Sequence, residues 1–159
     1  MLLRLLCSGL LLSACASPMH SSRQLVESAR ESSVAARFGQ LDMAARYADS
    51  DARAGFLERR TAWGKDVRVV DVEVSGVNPE DDERAEVTVS VSWTRVDEGL
   101  LRNSTILQDW ANTDRGWRIT GERHVDGDSG LFGEPMPQVG TPPAGDVHLP
   151  TRSLGAVQH

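Results

Sequence analysis

The sequence predicts an α+β fold in which helices come first and one antiparallel sheet follows. Three observations predict it. Apolar residues between 22 and 64 recur at helical spacing, residues between 67 and 125 alternate apolar with polar at period two, and the strand-like runs are joined by short turns rich in Gly and Asp. Helices followed by strands, rather than helices interleaved with strands, pack together on one face of the sheet.

Ser22 caps a first helix running to about Phe38, with Leu25, Val26, Ala29, Ala36 and Phe38 as its apolar positions, and Gly39 ends it. A second short helix fits Leu41 to Ala48, where Leu41, Ala44, Ala45 and Ala48 form a stripe. Asp49 or Ser50 caps a third, which runs to about Trp63 and stops at Gly64. Val70, Val72 and Val74 mark the inner face of the first strand. Ala85, Val87, Val89, Val91 and Trp93 mark that of the second. Turns at 96–99 and 112–116 lead into strands over Leu100 to Ala111 and Trp117 to Val125, which completes a four-stranded meander.

Composition narrows the function classes. The 159 residues include 17 basic against 23 acidic side chains, a net charge of −6, which argues against a nucleic-acid binder, since that needs a basic face. Both cysteines lie within the first 15 residues, so no disulfide framework staples the domain. All aromatic residues lie between Phe38 and Phe132, which locates the folded unit at 23–133. Residues 130–159 hold five prolines and five glycines, and 134–159 reads as a flexible tail.

Residues 1–14 form a secretory signal: Arg4 supplies the positive end, Leu5 to Leu12 the apolar run, and Ser13 and Ala14 the small residues. Leu12-Ser13-Ala14-Cys15 resembles the lipobox of bacterial lipoprotein precursors. The resemblance implies cleavage before Cys15 and a diacylglycerol on its thiol, with 15–22 as a lipidated tether. Two or more acyl chains hold a protein stably on a bilayer, whereas one binds marginally. Ala16 stands where an aspartate would imply inner-membrane retention, so the resemblance implies the outer membrane of a bacterial envelope.

Gly39-Gln40-Leu41-Asp42-Met43-Ala44-Ala45-Arg46-Tyr47-Ala48-Asp49 resembles the GD-x-D-x-x-x-x-x-YAD stretch of the nuclear-transport-factor-2-like superfamily. That group includes ketosteroid isomerases, polyketide cyclases and scytalone dehydratase. The resemblance covers about residues 22–126 and implies a curved sheet wrapped with its helices into a cone. Members carry a strand or hairpin between the second and third helices, for which Asp49 to Ala52 leaves little room.

Catalytic signatures are sparse. Of the four histidines only His124 falls in the domain, which excludes a two-histidine metal site there; His20, His148 and His159 lie outside it. No G-x-S-x-G elbow or phosphate-binding glycine loop occurs, and no cofactor is expected. Asp126-Gly127-Asp128-Ser129-Gly130 lacks the later ligands of a calcium loop. Glu80-Asp81-Asp82-Glu83 reads as a solvated hairpin tip. The expected function is a noncatalytic binding or envelope-assembly module, joined to the membrane through Cys15 and to an envelope protein partner, with Trp93 and Trp110 as candidate walls of a ligand pocket. The alternative is a small acid–base enzyme of the isomerase or dehydratase kind, with His124 and either Asp71 or Asp109 in a cone-shaped pocket.

Overall fold

The computed structural model describes residues 18–135, so the signal segment, Cys15 and all but the start of the expected tail lie outside the described residues. Within them run α1 (Pro18–Arg37), α2 (Leu41–Ala44), a 3-10 turn (Ala45–Tyr47), α3 (Ala52–Arg59), β1 (Val67–Pro79), β2 (Arg84–Arg95), β3 (Leu101–Thr113) and β4 (Gly116–Gly127). The strands form one antiparallel sheet in the order β1-β2-β3-β4, and the helices pack against it. This is the α+β architecture expected.

α1 starts at Pro18, four residues before the expected cap at Ser22, because proline's missing N–H costs nothing in a first helical turn. Its buried stripe is Leu25, Ala29, Ser32, Ser33 and Ala36, while Val26 and Phe38 face outward. Gly39, at φ +71°, closes the helix: its own N–H donates to Ala36 O and that of Gln40 donates to Ala35 O. The first turn is pinned to the far end of the sheet. Trp117 Nε1 donates to Ser21 O at 3.0 Å, and Asn112 Nδ2 reaches both Ser21 Oγ and Asp82 O.

The second helix is shorter than expected and tightens into the 3-10 turn after Ala44. Ala48 then forms an isolated parallel bridge to Ile119, in place of the strand or hairpin for which the chain has no room. Asp49 Oδ1 accepts the N–H groups of Asp51 and Ala52 ahead of α3. α3 stops at Arg59, and the chain turns through Gly64 before β1.

β2 follows its expected alternation without a break. β1 does not, because bulges at Val70 and Ser75 reset its phase twice. Val67, Val69, Val72, Val74 and Val77 join the core, and Val70 is left outside. β4 carries bulges of the same kind at Thr120 and Val125.

Gly127 closes β4 at φ +89°, and a Cβ there would stand 2.3 Å from Asn103 O on β3. Gly64 has a similar φ of +77° with open space around it. Gly64→Ala should therefore cost about 1–2 kcal/mol, the left-handed penalty alone. Gly127→Ala should cost about 3 kcal/mol or more, since β3 and β4 must also part. Paired thermal denaturation curves check the difference.

Candidate functional site

The Thr120 bulge turns Glu122 inward, where its side chain is fully buried opposite the end of α3. The residue it meets is Arg60. Arg60 Nη2 donates to Glu122 Oε2 at 2.7 Å and Arg60 Nη1 donates to Oε1, while Arg59 Nε donates to Oε1 at 3.0 Å. Gln108, cross-strand from Glu122, donates to Oε2 at 3.2 Å and accepts from Trp110 Nε1. Burial pushes the Glu122 carboxyl up, but hydrogen bonds and attraction from Arg60, then Arg59, outweigh it and hold the group below the usual carboxylate range.

Aromatic rings enclose the cation. The Arg60 guanidinium carbon lies 3.6 Å from the Phe56 ring centre, 5.1 Å from Trp63 and 5.5 Å from Phe132. The chain after β4 folds back over this cluster. Trp63 Nε1 donates to Leu131 O, and Glu134 Oε2 accepts the N–H groups of Gly130 and Phe132. Between helices and sheet there remains a void of about 10 Å³ beside Arg60, Gln108 and Ser33, room for one water molecule.

The roomier concavity lies outside. A groove of about 650 Å³ runs between α1, the α2 segment and the start of β4. Val34, Ala35, Met43 and the Tyr47 ring form its apolar floor; Arg30, Arg46 and Arg118 stand around it. Tyr47 OH donates to the Glu31 carboxylate, the one acidic group on the lining. Partial burial, the Glu31 hydrogen bond and the Glu31 charge push the phenol up to about 12.

Trp93 and Trp110 both face the interior and are almost completely buried. Trp93 Nε1 is held by Ser104 Oγ at 2.9 Å, and Trp110 is held by Gln108. His124 shares the inner face of β4 with Glu122 and lies cross-strand from Ile106; its Nε2 is buried with no hydrogen-bond partner among the described residues. Asp109 lies on the outer face, paired with Arg123. Asp71, on the edge strand β1, is paired with Arg37. The structure thus does not bring His124, Asp71 and Asp109 together, and none of them lines either concavity. Arg60 and Glu122 were not singled out in the sequence. Their one trace is the polar residue following Gly121, where the alternation of Trp117 and Ile119 breaks.

No protein-family profile matches the chain, and no curated protein matches it. Among solved structures it is similar to a domain of unknown function with a cystatin-like fold from Nostoc punctiforme, at 16% identity and TM-score 0.51, over 66% of this chain and 76% of that one. It is also similar to a nuclear-transport-factor-2-like protein of unknown function from Shewanella oneidensis, at 11% identity and TM-score 0.48, over 65% of this chain and 98% of that one. The Nostoc likeness shows a cystatin-like fold.

Removing Arg60 leaves the buried Glu122 carboxylate with only Arg59 and Gln108, so Arg60→Met should destabilise by about 3 kcal/mol. Arg60→Met combined with Glu122→Met should cost less than the two single changes added together, a coupling that urea denaturation of the four proteins measures. Because Glu122 titrates below its unfolded value of about 4.3, its contribution is full above that pH and is lost as the pH falls further. Glu122→Gln should flatten the acid limb of the stability curve. At the groove, the ionisation of Tyr47, the only tyrosine, should move down towards about 10 in Glu31→Gln, followed by phenolate absorbance.

Proposed function

We propose that the chain is a noncatalytic binding module, tethered to a bacterial envelope membrane by lipid on Cys15 and using its outer surface to engage a ligand or an envelope partner. The observation that carries the binding reading is the contrast in free space. The void beside Arg60 and Gln108 holds about 10 Å³, whereas the groove beside α1 offers about 650 Å³. Small-molecule sites occupy about 300–1,000 Å³, so a ligand of that size fits the groove and not the void beside Arg60.

The tether reading is supported by the lipobox-like Leu12-Ser13-Ala14-Cys15 behind an apolar run. Cleavage there removes Arg4 with the first fourteen residues and leaves 145 residues of net charge −7. Ala16 favours the outer membrane. Metabolic labelling with palmitate is the test. Label should enter the wild-type chain, and the chain should fractionate with membranes; Cys15→Ser should abolish both. Label retained in Cys15→Ser, or absent from the wild type, overturns the tether.

A further inference from the structure

The chain is acidic overall, yet three of its arginines gather on one groove without a carboxylate partner. Eight other arginines among the described residues are ion-paired; Arg23, Arg53 and Arg68 are not, but they do not line this groove. On the groove, Arg30 and Arg46 make no hydrogen bond or ion pair among the described residues, and Arg118 donates only to the Trp117 carbonyl. Glu31 offsets a single charge, and its carboxylate is already engaged by the Tyr47 hydroxyl. The uncompensated cations call for an anion.

The floor beneath them is apolar. Val34 and Met43 are each 47% exposed and line the groove together with Ala35 and Tyr47. The concavity also continues along α1. A second hollow of about 330 Å³, lined by Arg23, Val26 and Glu27, shares Arg30 and Glu31 with the first. An elongated occupant suits this shape better than a compact ring.

We propose that the groove binds a single-chain anionic amphiphile, its alkyl chain along Val34, Ala35 and Met43 and its carboxylate or phosphate head among Arg30, Arg46 and Arg118. This rests on the binding-module reading and adds the chemical class of the ligand. Each guanidinium presents several N–H donors to an oxyanion, and the chain leaves water for the floor. A cationic or neutral head would forfeit the first of these and keep only the second.

The test is photocrosslinking with a diazirine-bearing laurate. The whole chain, as recovered from cells, is held in phosphatidylcholine discs, with empty discs as the reference. Adducts should map to residues 30–47. Unlabelled laurate and dodecyl phosphate should compete, and dodecyltrimethylammonium should not. Arg46→Glu with Arg118→Glu should lower the yield about tenfold or more; Arg46→Glu alone, at an exposed position, should lower it about fivefold and serves if the double variant does not fold. Adducts confined to other segments, equal competition by the cationic amphiphile, or yields unchanged in Arg46→Glu overturn the proposal. Adducts on Trp93 or Trp110 overturn the closed-interior reading as well. Absence of any saturable adduct overturns the ligand class alone and leaves the palmitate result standing.

Discussion

The fold depends on a buried charge pair. A carboxylate and a guanidinium removed from water each cost several kcal/mol, and this is recovered only when the geometry joins them and their remaining hydrogen-bonding atoms are met. Glu122 and Arg60 go most of the way to meeting that demand, although Arg60 Nε is buried without a hydrogen-bond partner among the described residues. α3 delivers Arg60, β4 delivers Glu122, β3 supplies Gln108 and Trp110, and the chain after β4 lays Phe132 against the cation. The same cluster fills the space that a cone would otherwise offer to a ligand, and so moves the search for binding chemistry to the outside.

Legibility in the sequence followed regularity. β2 reads plainly because one unbroken period of two runs from Ala85 to Trp93, and the buried residues are those that the period selects. The Asp49 cap and the Gly39 stop read plainly because each is a local device with its own residue type. β1 misled at Val70 because a bulge moves that residue outside while its neighbours return to the core. Bulges leave faint traces here. Gly76 and Gly121 adjoin two of them, and a side chain at Gly121 would crowd the Asp109 carboxylate at 3.0 Å.

Sites divided along the same line. The motif at Cys15 is contiguous and can be proposed from sequence alone, and it lies outside the described residues. Arg60 and Glu122 are 62 residues apart and meet only through the fold, while the groove draws on three segments whose arginines look like any surface charge. What distinguishes those arginines is that three without an ion pair line one concavity, a property of the fold that composition does not carry. The proposed acid–base set shows the converse. Asp109 and His124 are both strand residues, yet the register seats them on opposite faces of one sheet.

The early start of α1 sets a clearance. With Cys15 acylated as proposed, three residue steps separate the anchor from Pro18, a span that cannot exceed about 10 Å. A domain on so short a leash would ride against the lipid headgroups instead of ranging above them. The end of the molecule brought nearest is the one where Ser21, Asn112 and the Glu80–Glu83 turn meet. That end is acidic, and headgroups of the same sign would push it away. Leash and repulsion together would tilt the domain and hold it in one orientation over the bilayer.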